Sequence, residues 1–215
     1  MSARETSTWF QQCWTFLRGL KHAAAYAVEP FYAARCLYQR WTTVCPTSVT
    51  SVLFVCHGNI CRSPFAAAYF QSLVIKRGMP LTVKSAGLVT TPGKPAHANT
   101  QTMAKEQHLS LAEHVTTRLH ADLVNQSDLI IVMEIAQKDR VQRLYPASRG
   151  KVVLLGYFDP KGPLEIADPF GTPLDNFKIC FQRVARCCDN LADRLGVNDS
   201  KSRAGHVSAA SAEDA

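Results

Sequence analysis

One strand–loop–helix signature, residues 52–64 with the sequence VLFVCHGNICRSP, constrains the fold more than any other part of the chain. Its first four residues are all apolar, which is typical of a strand buried on both faces of a parallel sheet. Gly58 and Asn59 tolerate the left-handed backbone of a tight turn, and Ser63 followed by Pro64 predicts the N-cap and first residue of a helix. We therefore expect a buried strand, a short loop and a helix in direct succession.

The loop carries two reactive groups, the thiol of Cys56 and the guanidinium of Arg62. Loop amides and the N-terminus of a helix both attract negative charge, and such a setting stabilises the thiolate form of a cysteine. Arg62 offers a planar, bidentate donor for two phosphate oxygens. The spacing predicts a covalent phosphoryl-transfer site with Cys56 as nucleophile. The alternative is that Cys56 is one more buried cysteine in a chain that has eight.

A carboxylate far downstream, Asp168, is the candidate acid. It precedes Pro169 in a loop bounded by Pro163 and Pro173. A residue before proline is held away from helical geometry, so the side chain can project from a stiff loop. Departure of an aryl oxygen from phosphorus needs such a proton donor. Phe170 could form one wall of a slot for an aromatic ring. The alternative is an ordinary Asp–Pro turn.

Four segments together resemble a known family. They are VCHGNICRSP, Ser85-Ala86-Gly87, DLIIVME at residues 128–134, and Asp168-Pro169-Phe170. Their order and spacing are similar to those of the low-molecular-weight protein tyrosine phosphatases over roughly residues 50–196. The similarity is greater still to the bacterial branch tied to capsule and exopolysaccharide export.

The resemblance implies a reaction and its catalytic residues. Cys56 would attack phosphorus to form a phosphocysteine, Arg62 would hold the phosphoryl oxygens, and Asp168 would protonate the leaving tyrosine. The implied phosphate-binding residues are His57, Gly58, Asn59, Ile60, Cys61 and Arg62. The implied substrate is a phosphotyrosine-containing protein, and the candidate is an autophosphorylated tyrosine kinase of polysaccharide export. No cofactor or metal is expected.

Further residues have supporting roles by the same resemblance. Four of them would form a polar network around the loop and its thiolate: Ser63, Asn59, Ser85 and His114. Leu88 and Phe170 would flank the substrate ring, and Cys61 would trap an oxidised Cys56 as a reversible disulfide. The alternatives are that His114 is an ordinary packed or surface histidine and that Cys61 is a small buried hydrophobe.

Strand-like and helix-like segments alternate along residues 49–197, which indicates a parallel α/β sheet with helices on both faces. The expected strands are 52–55, 81–84, 128–133 and 151–155. The expected helices are 64–77, about 96–107, 135–145 and about 173–195. The resemblance implies the family fold, a three-layer αβα arrangement with a four-stranded parallel sheet.

The two ends are not explained by the resemblance. Apolar residues between positions 9 and 28 fall on one helical stripe, and residues 1–50 carry a net charge of +3. A basic amphipathic helical extension over residues 1–48 can lie on an anionic membrane surface. An accessory helix pair, a start codon assigned too early and a transit peptide are the alternatives. The Ser/Ala-rich tail 198–215 is predicted to be disordered.

Composition narrows the remaining classes. The net charge of +7 is spread without a dense basic run, so we do not expect nucleic-acid binding. The cysteines lack the spacing of a disulfide framework or a zinc site, and the predicted chemistry needs a free thiolate. We therefore expect a reducing cytoplasm, with peripheral contact at the inner membrane face through residues 1–48 as a further hypothesis.

Two other functions stay open. A thiol-dependent arsenate reductase uses the same fold and loop, but it needs two redox cysteines near the strand after residue 128, and residues 128–140 contain none. Cys180 and Cys187 are seven residues apart on an expected helix, where that spacing indicates one packed face. The second alternative is a catalytically inactive phosphotyrosine-binding module. The presence of Cys56, Arg62 and Asp168 argues against it.

Overall fold

The computed structural model describes residues 31, 34–39, 43, 45, 46 and 48–210, and side chains only as far as residue 196. The chain forms two compact units, Met1–Thr43 and Val44–Ala215. In the first unit, residues 34–39 are helical. The amphipathic helix predicted between positions 9 and 28 lies outside the described residues. The second unit contains the predicted sheet.

Four parallel strands form one sheet in the order β2-β1-β3-β4, which confirms the predicted fold class. The strands are β1 (Ser51–Cys56), β2 (Thr82–Gly87), β3 (Leu129–Val132) and β4 (Val152–Leu154). β2 ends three residues later than predicted because residues 85–87 continue the parallel pairing with β1. That pairing brings Gly87 level with Cys56 at the carboxyl end of β1.

Both faces of β1 are buried, as its apolar run predicted. Val52 and Phe54 belong to the main core cluster, while Leu53 and Val55, which alternate with them, are buried on the other face. Five α-helices lie in the described part of the second unit: α1 (Arg62–Arg77), α2 (Ala98–Glu106), α3 (Ala121–Asn125), α4 (Ile135–Leu144) and α5 (Leu174–Ala210). The sequence analysis missed α3, whose five residues are too few for a periodic pattern.

Helices α1 and α5 pack together beside the sheet through aromatic side chains. The ring of Phe65 in α1 stacks on Phe181 in α5 with 4.1 Å between centroids. Helix α4 contacts β3 and β4 and buries Val141. No helix in the described part of the chain has both the length and the apolar character that crossing a bilayer requires.

Helix α5 is longer than predicted and runs to Ala210. It therefore continues through residues 198–210, for which the sequence predicted a disordered tail, and residues 211–215 are not described. No proline follows Pro173, and a helix that is already nucleated can add residues one by one without new packing contacts.

A close backbone approach positions the segment that leads to Asp168. Gly156 lies in the 3₁₀ turn Leu155–Phe158 directly after β4. A Cβ atom at Gly156 would overlap with the backbone carbonyl of Leu164. Backbone cannot move aside as the end of a flexible side chain can, so this position requires glycine.

We expect Gly156→Ala to lower the free energy of unfolding by about 2 kcal/mol or more, the order of cost of overpacking. Gly196→Ala is the matched control, because nothing lies near its Cβ position in α5. It should be neutral or stabilise by roughly 0.5–1 kcal/mol, since alanine is the better helix former. Urea denaturation measures both, and equal stabilities would contradict the close approach.

Candidate active site

The predicted loop connects the end of β1 to the start of α1 at the carboxyl edge of the sheet, where open α/β sheets bind ligands. Cys56 is the last residue of β1 and Arg62 is the first residue of α1. The five residues between them form a bend whose Asn59 has a left-handed φ of 55°. Gly58, the other residue expected to allow that conformation, does not adopt it.

The sulfur of Cys56 is surrounded by hydrogen-bonding groups. The Oγ atom of Ser63 lies 3.1 Å from Sγ, and the backbone amide of Asn59 donates to Sγ over 3.3 Å. The prediction that Ser63 caps the helix was wrong. Helix α1 begins two residues earlier than predicted, Cys61 occupies the cap position without a side-chain bond, and Ser63 lies inside the first turn. From there its hydroxyl points back to the thiol.

Backbone amides of the loop are available to an anion. Within the described residues, the amides of Gly58, Ile60 and Cys61 donate to no protein acceptor. They lie beside the N-terminus of α1, whose first N–H groups also lack intrahelical partners. This arrangement can bind a phosphoryl group.

Asn59 is the centre of the predicted polar network. Its side-chain amide donates to Ser63 over 2.9 Å and to Ser85 over 3.0 Å, and its Oδ1 accepts from the amide of Thr117 over 2.8 Å. The Nε2–H of His114 donates to the Asn59 carbonyl over 2.9 Å. Burial lowers the pKa of His114, and this hydrogen bond only partly opposes the shift. A neutral imidazole therefore braces the loop.

β2 approaches this loop closely at Gly87. A Cβ atom there would lie 3.0 Å from the Cβ and amide nitrogen of Asn59. The Ser-Ala-Gly segment quoted for the resemblance thus has two physical roles. Ser85 accepts a hydrogen bond from the loop, and Gly87 leaves room for it.

Arg62 joins three parts of the chain. Its side chain is only 1% exposed and pairs with Glu134 after β3, with the Ile166 carbonyl over 3.0 Å and with Asp168 over 2.5 Å. Burial disfavours the charge, but the hydrogen bond to Glu134 and the charges of Cys56 and Asp168 outweigh it and raise the pKa of the guanidinium. Its Nε atom is buried without a partner.

A cavity of about 310 Å³ opens above Cys56. Its lining residues are Cys56, His57, Gly58, Ile60, Cys61, Val89, Thr90, Thr91, Lys94, Asp168 and Phe170. Phe170 is 58% exposed and lies at the predicted wall. Leu88 does not line the cavity, contrary to prediction, because its side chain is 6% exposed and packs inward. Its neighbour Val89, in the bend that follows β2, lines the cavity instead.

The other cysteines of this region are buried thiols. Burial raises the pKa of Cys61 and of Cys180 to about 12, and that of Cys187 to about 11. Cys180 and Cys187 lie on α5, as their spacing predicted, and are buried there. Such thiols are poor nucleophiles in this conformation. A redox role for Cys61 stays a prediction. Within the described residues, no group of three His, Cys, Asp or Glu side chains could hold a metal ion.

Sequence reasoning missed Glu134, Lys94 and Thr117. Glu134 follows β3, the neighbour of β1 in the sheet, so an acid at that edge was the available signal. Lys94 and Thr117 come from loops that no pattern connects to the signature. Their location depends on the hydrogen bonds between residues 87–94 and 116–119.

Comparisons with known proteins agree with this geometry. A family profile described as low molecular weight phosphotyrosine protein phosphatase matches residues 51–201. The chain is 33% identical over 148 residues to the probable low molecular weight protein-tyrosine-phosphatase EpsP of Ralstonia nicotianae, covering 68% of this chain and 97% of that protein. It is 31% identical over 144 residues to the protein-arginine-phosphatase of Bacillus subtilis, covering 67% of this chain and 95% of that protein.

A solved structure is similar over the same part of the chain. The crystal structure of the tyrosine phosphatase AmsI of Erwinia amylovora matches with a TM-score of 0.64 and 34% identity, covering 69% of this chain and 94% of that one.

We expect Asn59→Ala to lower the free energy of unfolding by about 4 kcal/mol. The variant loses one buried and two half-buried hydrogen bonds, each worth about 1 kcal/mol, and it strains a left-handed residue by about 1 kcal/mol more. Asn59→Gly should lower the free energy of unfolding by about 1 kcal/mol less than Asn59→Ala. Both variants lose the three hydrogen bonds, but glycine adopts the left-handed conformation without strain. Asn125→Ala, at an exposed site, is the control. If the alanine and glycine variants unfold at the same urea concentration, the left-handed conformation contributes nothing.

Proposed function

Because the chain belongs to the low molecular weight phosphotyrosine protein phosphatase family, we propose that Cys56, Arg62 and Asp168 hydrolyse phosphotyrosine in proteins through a phosphocysteine intermediate. The observation that carries this proposal is the thiol of Cys56 at the floor of a cavity that Asp168 and Phe170 also line. The thiol has two hydrogen-bonding partners, Ser63 and the Asn59 amide, that stabilise a thiolate.

The first step transfers the phosphoryl group to the protein. The sulfur of Cys56 attacks phosphorus as the P–O bond to the tyrosine ring breaks, and Asp168 donates its proton to the departing oxygen. The free loop amides and Arg62 bind the three phosphoryl oxygens. In the second step Asp168 takes a proton from water, the water oxygen attacks phosphorus, and the P–S bond breaks. The Ser63 hydroxyl stabilises the thiolate that leaves.

Asp168 changes partners during this cycle. In this structure its Oδ2 accepts from Arg62 over 2.5 Å. A phosphate dianion competes with the carboxylate of Asp168 for the same guanidinium and releases it from Arg62. Asp168 is 41% exposed and can turn toward the cavity without unfolding the loop. Substrate binding therefore prepares the acid.

We expect Cys56→Ser to abolish turnover while inorganic phosphate still binds. Asp168→Asn keeps an acceptor for Arg62 but no proton to donate, so it should lower kcat about 10²–10⁴-fold on a phosphotyrosyl peptide. The loss should be much smaller on para-nitrophenyl phosphate, whose leaving group needs no acid. Asp193→Asn, which removes another Arg–Asp pair, is the control. Equal losses on both substrates would exclude Asp168 as the general acid.

The name of the Bacillus subtilis relative indicates phosphoarginine as its substrate. The lining of the cavity in this chain favours an aryl phosphate instead. Its walls include the apolar side chains of Ile60, Val89 and Phe170. Lys94 adds a positive charge to the lining. A phosphorylated guanidinium carries positive charge beside phosphorus and would be repelled by Lys94, whereas a neutral phenyl ring would not.

We expect kcat/KM to be higher for a phosphotyrosyl peptide than for a matched phosphoarginyl peptide. Lys94→Gln should narrow that ratio by roughly twofold to fivefold, the size of an exposed charge–charge effect. Lys105→Gln, on the exposed surface of α2, should leave the ratio unchanged. A wild-type protein that prefers phosphoarginine would contradict the proposed substrate.

The proposed partner is an autophosphorylated tyrosine kinase of polysaccharide export, in keeping with the resemblance to the bacterial export branch. We propose a cytoplasmic enzyme with peripheral contact at the inner membrane face through residues 1–48. The net charge of +3 over residues 1–50 supports that contact.

A further inference from the structure

The ring of His97 lies between two phenylalanines of different character. It meets Phe170 edge-on, with 5.7 Å between centroids and an interplanar angle of 78°. It stacks on Phe177, with 5.2 Å between centroids and an angle of 17°. Phe170 is the exposed cavity wall, whereas Phe177 is fully buried. His97 therefore connects the exposed ring of Phe170 to the buried core.

The connection continues into the core. Phe177 packs edge-on against Phe181, with 5.9 Å between centroids, and Phe181 stacks on Phe65 in α1. Edge-on and offset-stacked pairs are the favourable arrangements for aromatic rings. Phe170 has no other ring partner among the described residues, so His97 is its link to this series.

Backbone and side-chain hydrogen bonds fix the position of His97. Its amide donates to the carbonyl of Ile60 over 2.9 Å, which ties it to the loop after Cys56. Its Nδ1 accepts from the amide of Asn99 over 3.2 Å, which caps helix α2 and sets the plane of the ring. His97 thus contacts two loops: the nucleophile loop, residues 57–61, and the acid loop, which carries Asp168 and Phe170.

We infer that His97 is a positioning residue for aryl recognition: it holds Phe170 at the cavity wall at a set distance from the phosphoryl-binding loop. The inference rests on the proposed function. His97 does not line the cavity and acts through Phe170. Its side chain should therefore matter for binding the ring of a substrate and not for binding its phosphoryl group, because the backbone bond to Ile60 survives substitution.

Calorimetric titration of the full chain with phenylphosphonate and with inorganic phosphate tests this division. His97→Asn retains a favourable cap for α2 but removes the ring. It should weaken phenylphosphonate binding about threefold to tenfold, the worth of one aromatic pair, and change phosphate binding less than about twofold. His97→Phe keeps a ring between Phe170 and Phe177 and should retain most of the phenylphosphonate affinity.

Two further variants complete the experiment. Phe170→Ala should weaken phenylphosphonate binding by itself, and adding His97→Asn to it should cause little further loss, since the two residues act as one unit. His120→Asn is the matched control, because His120 precedes helix α3 at the cap position and its ring makes no capping bond. It should bind both probes as the wild type does.

Additive losses in the double variant would overturn the inference, as would an equal loss of phosphate and phenylphosphonate affinity in His97→Asn. If circular dichroism shows that His97→Asn is unfolded, the variants His97→Phe and Phe170→Ala decide. The affinity for phenylphosphonate must then be retained in His97→Phe and lowered in Phe170→Ala. Binding is measured without turnover. A wild type that binds both probes but hydrolyses no phosphotyrosyl peptide contradicts the proposed function and leaves the result on His97 standing.

Discussion

The buried guanidinium of Arg62 is the interaction on which the rest of the site depends. A charge removed from water is costly unless paired and hydrogen-bonded, and Arg62 meets this requirement with Glu134, the Ile166 carbonyl and Asp168. These partners are 72 to 106 residues away in the sequence. Satisfying one side chain therefore sets the acid loop against the nucleophile loop, and both against the end of β3.

Neutral side chains hold the nucleophile loop in place, and its free N–H groups are kept for binding the phosphoryl group. Asn59, His114 and Ser85 brace the backbone without adding charge beside the thiol, and burial keeps His114 neutral. Free N–H groups of the loop are left for the phosphoryl group, while Glu134 and Asp168 each accept from a different terminal nitrogen of the Arg62 guanidinium. The preorganised donors can then act on charge that develops during the reaction.

Prediction from the sequence succeeded where a local pattern has one stable outcome. Residues 52–55 were predicted to be a strand buried on both faces, and β1 confirms it. Strands predicted at 128–133 and 151–155 are observed at Leu129–Val132 and Val152–Leu154. Prediction from the sequence failed where two alternative arrangements of the same residues differ little in free energy. Ser63 could cap the helix or contact the thiol, and Leu88 or Val89 could face the cavity. A helix start two residues earlier than predicted decided the first, and the bend that follows β2 decided the second.

The loop with Cys56 and Arg62 and the parallel sheet that presents it were determined by the sequence alone, because residue chemistry and hydrophobic periodicity act over a few positions. Asp168 was assigned through the family resemblance of its Asp-Pro-Phe segment. Only the tertiary structure decided that Glu134 shares Arg62 with Asp168, that Gly87 makes room for Asn59 and that His97 links Phe170 to the core. These are contacts between segments far apart in the chain. Their geometry depends on the packing of the whole sheet and its helices, which no local pattern encodes.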